Sequence, residues 1–472
     1  MKAAAILLAC LLAASVLSAQ NQPQLASDSI PADHMQTYSA LAVDWMRDYL
    51  RINTTNPPGN EAKSAAFFKK IFDAEAIENQ VYEFAPGRSD IWARVPCSEE
   101  ASHCERPFIL LNHMDVVSSE PSHWRVPPFS AEVVEGSIYG RGAQDMKNEG
   151  LAQAVVLVML KREHARLNRD VIFLATGDEE VDDLGSKWFI AHKPELLGHA
   201  EYLLTEGGDT SLQGNNVAYV GVDIAEKAPF WLHVVAHGEP GHGSRPIADS
   251  APDRLIAALN RIRNFRPEAK LTPLVEEMLG QVAATAHGPR VRKLGREFRD
   301  EDAGERLRGD PATSYMVQDT IAITMLGGSS QTNVIPNEAW ANLDVRLLPG
   351  SDPNHFLEIL RRVVNDPSVS IEPLKSFEKA NSSPINTKLW EAIRTATGRY
   401  FNNAPVVPRL TSGYTESQLY RQVGIICYGF SAYADTPEEG STEHGDNERV
   451  RIEEVHRAPR VLYDVVMQIA GR

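Results

Sequence analysis

His113 and Asp115 stand two residues apart at the end of the apolar run Phe108-Ile109-Leu110-Leu111. On a strand that spacing turns both side chains the same way, and a histidine that ligates a metal commonly needs a carboxylate to fix its tautomer. Asp115 could steer a neighbouring ligand, or His113 itself through a bend; such pairs also occur on ordinary surfaces. Asp145 closes Gly140-Arg141-Gly142-Ala143-Gln144-Asp145. The glycines permit tight turns, so its carboxylate could be aimed from a loop and its two oxygens could bridge two ions. It could equally cap the helix that follows. Glu179 and Glu180 are adjacent, so their side chains diverge. One can ligate a metal while the other takes a proton from water, and nothing in the pair ranks them. Glu206 ends another apolar run before two glycines, and His444 lies in the polar loop Ser441-Thr442-Glu443-His444-Gly445-Asp446. Two histidines with three carboxylates suit zinc, cobalt or manganese. Two divalent ions would carry four positive charges against three negative ones, and the excess would acidify a shared water and stabilise the oxyanion of an attacked carbonyl.

These residues need elements that converge on one edge. The apolar runs at 108–111, 171–175 and 202–204 read as strands buried on both faces. A helix over 151–162 between the first two suits a βαβ crossover, and sites in such sheets form at the carboxyl ends of strands. Helices are expected at 38–52, with a second carrying Ala65, Phe68, Ile71 and Phe72. Residues 21–34 read as a polar, flexible leader. From about Ile224 the texture changes: strands at 230–237, 321–326, 339–347 and 369–371 accompany helices at 253–265 and 356–364, with a charge-dense stretch from Arg290 to Arg308. That mixture suggests an α+β domain inserted into the first. The chain returns near Pro384 with a helix at 387–397, a strand at 424–430 and a terminal helix at 460–469. The expected organisation is therefore a catalytic domain at 35–224 and 382–472, with an insertion at 225–381.

At 472 residues two domains are the default. The net charge of -16 argues against a nucleic-acid partner, which would call for a basic face. Lys2, the apolar run from Ala3 to Leu17 and the small residues after it read as a signal peptide over residues 1–20. Leu7-Leu8-Ala9-Cys10 offers the rival of a lipid anchor at Cys10, and no other stretch could span a bilayer. Export, to the periplasm or outside the cell, implies an oxidising compartment. There Cys97 and Cys104, bracketing a polar loop, could close a small disulfide across a hairpin.

Taken jointly, the motifs resemble those of the M20 metallopeptidases, the group containing aminoacylase-1, succinyl-diaminopimelate desuccinylase, carboxypeptidase G2 and carboxypeptidase S. The pieces are His113-Met114-Asp115-Val116-Val117, Trp124-Arg125-Val126-Pro127-Pro128-Phe129, Tyr139 to Lys147, Asp178-Glu179-Glu180, Glu206-Gly207-Gly208, Pro240-Gly241-His242-Gly243-Ser244, Asn333-Val334-Ile335-Pro336 and Glu443-His444. They run in family order from about residue 40 to the C-terminus. The resemblance implies a mixed-sheet α/β di-zinc exopeptidase fold with an inserted α+β lid and dimerisation domain. It implies His113 and Glu206 on one metal, Glu180 and His444 on the other, and Asp145 bridging them. Glu179 would be the general base toward metal-activated water, with Asp115 behind a histidine ligand. His242 would stabilise the oxyanion, often reaching into a partner subunit's site. Asn333, Arg346 and Gly413 would hold the substrate, Arg346 being suited to a carboxylate. The peptide bond after Asp145 would be cis.

Two departures bear on substrate. Ser412-Gly413-Tyr414-Thr415-Glu416-Ser417-Gln418 carries Glu416 and Gln418 where family members often have Asp and Arg, and Asn148-Glu149 stands where small residues are usual. The identity of the substrate is expected to be decided in the Tyr414–Gln418 loop. The function so implied is a two-metal hydrolase of small peptides, carboxypeptidase- or dipeptidase-like. An N-acyl-amino-acid deacylase is the alternative, and an exported metal or peptide binder without turnover is a third reading.

Overall fold

The computed structural model describes residues 24–472 apart from 99, 215, 286–302, 310–312 and 378. The signal-peptide reading of residues 1–20, with Cys10, and most of the charge-dense stretch lie outside the described residues. The chain divides into two compact units. One comprises the chain up to Val222 with Ile385–Val406 and Ile425–Arg472, and the other Asp223–Pro384 with Val407–Gly424. Val407–Gly424 thus groups with the second unit.

The first unit is built on α1 (Ala32–Leu50), α2 (Glu61–Ala74), β1 (Glu78–Ala85), β2 (Arg88–Val95), β3 (Glu105–His113), α3 (Lys147–Arg162), β4 (Arg169–Thr176), β5 (Tyr202–Thr205), β6 (Asp209–Gln213), the first part of β7 (Asn216–Glu226, which passes into the second unit at Asp223), α4 (Lys388–Tyr400), β8 (Ile426–Gly429), β9 (Ala434–Asp435) and α5 (Ile452–Ala470). The strands lie in the order β1-β2-β4-β3-β5-β8-β7-β6-β9, and Val406–Thr411 pairs with β7 beside that path. β4, β3, β5 and β8 run parallel, while β1–β2, β2–β4 and β6–β7 are antiparallel. The architecture is α/β with a mixed sheet. α3 is buried from Lys147 to Leu160, because it packs both on β3 and β4 and against α1 and α5. Phe68 and Phe72 of α2 meet Phe173 of β4 edge-on at ring separations of 5.0 and 5.1 Å, fixing the strand that leads to Glu179.

Two expectations need correction. The leader is ordered over its described part: Leu25 and Ser27 are buried, and Ser27 donates to the Asp464 carboxylate through its backbone N–H (2.8 Å) and its hydroxyl (2.6 Å). Its polar composition hid an anchor to α5. Cys97 and Cys104 do form a disulfide, but it spans no hairpin. β4 lies between β2 and β3 in the sheet, so the bond closes the crossover connecting two strands that are not neighbours.

In the second unit, Glu338–Leu347 lies between Leu232–His237 and Thr320–Gly327, with Val369–Pro373 beyond the former. Burial alternates along Glu338–Leu347, the period-two pattern of a sheet with one face covered. Helices Ala251–Asn264 and Pro353–Val364 cover that face. Each starts at a capping side chain, Ser250 and Asp352 respectively. Among the described residues no helix is long and apolar enough to cross a membrane.

Candidate metal centre

β3, β4 and β5 end side by side, and the first unit's chemistry lies on their carboxyl ends. His113 is the last residue of β3, Glu179 and Glu180 follow β4 after a short turn, and Glu206 comes directly after β5. Asp145 and His444 arrive on loops. Gly142, in the Asp145 loop, has φ +88°, and a Cβ there would lie 2.8 Å from a Val116 methyl, so this turn requires glycine. The Asp145–Met146 peptide is cis.

The two oxygens of Asp145 face different partners. Oδ1 lies 2.9 Å from His113 Nε2, and Oδ2 lies 2.8 Å from His444 Nε2. On the first side Glu206 Oε2 is 3.2 Å from His113 Nε2; on the second, Glu180 Oε2 is 3.3 Å from His444 Nε2. Five side chains thus form two donor groups that share Asp145. The ligand atoms of His113, Asp145 and Glu180 lie within 4.8 Å of one another, as do those of His113, Glu179 and Glu206. His113 Nδ1 donates to the Asp115 backbone carbonyl at 3.0 Å, which leaves the Nε2 lone pair for a ligand.

The Asp115 carboxylate does something the spacing did not suggest. It lies 3.8 Å from His113 Nδ1, but its closer partners are on the β4 turn. Oδ1 accepts the N–H groups of Asp178 (2.9 Å) and Glu179 (3.2 Å), and Oδ2 accepts that of Glu180 (3.2 Å) together with Asn56 Nδ2 (2.8 Å). Asn56 also donates to Asp178 Oδ1 at 2.9 Å, as does Arg88 at 2.7 Å, and Arg88 pairs with fully buried Glu61. Asp178 is held at φ +76°, a conformation that costs energy unless its surroundings impose it.

Charge in this cluster is displaced toward the positive. Burial opposes ionisation of His113, yet the carboxylates of Glu206 and Asp145 outweigh it and hold the imidazole well above the usual histidine range. Hydrogen bonds to Asp145 and Glu180 push His444 up to about 11. Burial pushes Glu206 up to about 8, helped by Asp145, and pushes Glu179 well above the carboxylate range, helped by Glu206. Asp145 alone moves down: burial opposes its charge, but hydrogen bonds from both histidines prevail. Protons here supply charge that divalent ions would supply instead. Nitrogen and carboxylate donors around one shared aspartate fit such ions.

The remaining predicted residues lie in the second unit. His242 pairs with Val334 in a two-stranded ribbon, and the Gly243 N–H donates to the Asn333 carbonyl at 2.8 Å. His242 Nδ1 accepts the Ser244 N–H (3.1 Å). A backbone N–H can only donate, so the neutral ring carries its proton on Nε2. Arg346 lies on the half-exposed face of its strand and pairs with Asp344 through two contacts, 2.9 and 3.3 Å. Gly413 is exposed, whereas Glu416 and Gln418 are buried. Gln418 donates to the Lys379 carbonyl at 3.2 Å. Beside them, Thr415 and Arg421 bind buried Glu226.

Sequence reasoning missed Asn56, Arg88, Arg141 and Glu448 as supports. Asn56, which precedes two prolines, and Arg88 both lie far from every motif. Arg141 and Glu448 fall within or four residues beyond quoted motifs, where a charge flanking a ligand was the available signal.

A mixed α/β unit gathering two histidines and several carboxylates beyond its parallel strands defines a metallohydrolase. Residues 109–468 match the model of peptidase family M20/M25/M40, and the chain belongs to this family. It is a hydrolase acting on amide bonds. It is 28% identical over 398 residues to N-fatty-acyl-amino acid synthase/hydrolase PM20D1 of Xenopus tropicalis, covering 82% of this chain and 76% of that protein. It is 28% identical over 415 residues to aminoacylase-1A of Rattus norvegicus, covering 87% and 90%. Its fold matches that of the M20 family metallo-carboxypeptidase Sso-CP2 from Sulfolobus solfataricus with a TM-score of 0.70 at 18% identity, covering 90% of this chain and 98% of that one.

Proposed function

We propose that the protein is an exported two-metal amidohydrolase whose substrate carries a carboxylate beside the scissile amide, and that N-acyl amino acids are its first substrate class. The observation that carries the two-metal part is the division of Asp145 between His113 and His444. Relatives named for N-acyl-amino-acid chemistry support the substrate class. When bound, two divalent ions, zinc ahead of cobalt or manganese, would polarise the carbonyl and lower the pKa of a water. His113 and Glu206 would hold one, Glu180 and His444 the other, with Asp145 shared.

Glu179 takes a proton from the attacking water and returns it to the amine as the C–N bond breaks. The water oxygen ends on the acyl half. His242 offers its Nε2–H to the oxyanion, and Arg346 takes the substrate carboxylate after giving up Asp344. Asn333 and Gly413 line the substrate. The second unit would serve as lid, and its edge strand Thr320–Gly327, with Met325 and Leu326 exposed, supports a homodimer through this unit. Export through residues 1–20 is consistent with the Cys97–Cys104 disulfide.

A dipeptide is itself an N-acyl amino acid whose acyl half bears an ammonium, so one panel separates the two substrate readings. Zinc-loaded protein is assayed on N-acetyl and long-chain N-acyl amino acids and on matched dipeptides and tripeptides. Higher kcat/KM on the uncharged acyl group is expected; preference for the dipeptides would replace the deacylase reading with the peptidase one.

A further inference from the structure

Arg141 and Glu448 are both buried, with side-chain exposures of 2% and 0%, and meet at 2.6 Å. Neither touches the donor groups through its side chain, yet together they bind the backbone of two ligand-bearing loops. Glu448 uses both oxygens on the Asp145 loop. Oε2 accepts Arg141 Nη1 and the Gly142 N–H (2.8 Å), while Oε1 accepts the N–H groups of Gln144 (2.7 Å) and of Asp145 itself (3.1 Å). Arg141 Nη2 faces three carbonyls, those of Ser118 (3.2 Å), Gly445 (2.9 Å) and His444 (3.4 Å). Its guanidinium also lies 5.4 Å from the centre of the Trp124 ring.

The location of these bonds gives them a consequence. His113 and Glu206 continue directly from β3 and β5, so the sheet positions them. Asp145 and His444 lie on loops outside the main sheet, flanked by the short paired strands Ser137–Tyr139 and Arg449–Arg451, and His444 sits at φ +56°. We propose that Arg141 and Glu448 are positioning residues for the second half of the metal centre. They hold the Asp145 and His444 backbones at a fixed separation, so the ion on the His444–Glu180 side depends on them more than the ion on the His113–Glu206 side. The inference rests on the two-metal reading and adds which residues govern the order and affinity of loading.

The pair could instead serve folding alone, and the test separates these roles. Zinc is titrated into chelator-treated full-length protein against a chromophoric competitor, and the thermal midpoint of each apoprotein is recorded. Wild type is expected to take two ions. Glu448→Gln keeps the shape but faces an amide toward backbone N–H groups. It should hold its first ion within about threefold of wild type and its second at least about tenfold more weakly, the range typical of residues behind metal ligands. His444→Ala, which removes a ligand directly, fixes the one-ion pattern. Arg141→Lys retains the charge opposite Glu448 but lacks the fork that reaches three carbonyls, and should give the same split if Glu448→Gln fails to fold. Two ions bound as in wild type would overturn the proposal, and so would equal weakening of both in step with a lowered midpoint. Fewer than two ions on wild type would remove the two-metal reading itself, a result distinct from either.

Discussion

Replacing Asp115 by Asn probes how the β4 turn is held. The carboxylate accepts four hydrogen bonds, two on each oxygen. Asn keeps one carbonyl oxygen and sets an NH2 group against the other pair of donors. Losing two bonds to a charged acceptor costs about 3–6 kcal/mol, taking about 1.5–3 for each. An opposing effect is nearly as large. Burial raises the Asp115 carboxyl from its ordinary 3.8 to about 6, so the ionised form already carries a penalty of about 3 kcal/mol that the neutral amide does not. The net loss of stability is therefore about 0–3 kcal/mol by the same bookkeeping. Catalysis has no such offset. The amide groups of Glu179 and Glu180 lose their common anchor, and a displacement of about 1 Å at a reacting group costs on the order of 10²-fold in rate. Urea unfolding of the apoprotein and kcat/KM of the zinc-loaded enzyme measure the two effects separately. Activity within threefold of wild type would refute the reasoning, as would a stability loss well above 5 kcal/mol with activity falling only in proportion.

Other expectations follow from the same contacts. Arg88→Met strands the carboxylates of Glu61 and Asp178 in the interior and should destabilise the fold by about 3–5 kcal/mol, with Glu61→Gln added to it restoring part of the loss in urea titrations. For the apoprotein, Glu206 titrates near 8 when folded against a usual 4.5, so the folded chain holds a proton that the unfolded chain has released between those values. His444, at about 11 against 6.5, acts in the same direction. Apoprotein stability from these groups therefore falls as pH rises from 6.5 to 8, and added zinc should raise the thermal midpoint more at pH 8 than at pH 6.5; an opposite trend in calorimetry would count against the charge assignment. Asp464→Asn weakens the anchor of Ser27 and should cost about 1–3 kcal/mol, with earlier proteolysis of the N-terminal segment as a second readout.

Much of the centre was legible in the sequence because its ligands follow strands whose apolar character is continuous. His113, Glu179, Glu180 and Glu206 were each visible from the run before them. Divergence of adjacent side chains said that Glu179 and Glu180 have different tasks, and only the family resemblance ranked them. Asp145 was open between helix cap and bridge, since a glycine-rich loop does not reveal which residues its carboxylate oxygens meet. Supports were less visible. Asn56 and Arg88 reach the β4 turn from far upstream, and the clamp of Glu448 on the Asp145 loop spans some three hundred residues of sequence. Such contacts have no period and no spacing. The polar leader misled for a related reason: Ser27 is buried because Asp464 waits for it on α5, a partner no local pattern announces. Glu416 and Gln418 were noticed as departures, but a replaced residue in a motif does not say whether it faces substrate or interior.

The central claim is that Glu179 is the base of a two-metal amide hydrolysis, and Glu179→Gln tests it most directly. The variant is loaded with zinc, its metal content measured, and its turnover of an N-acyl amino acid compared with wild type. Two ions retained with kcat lowered by about 10²–10⁴-fold, the usual contribution of a positioned general base, is the predicted result. Two ions retained with kcat within tenfold of wild type would contradict it.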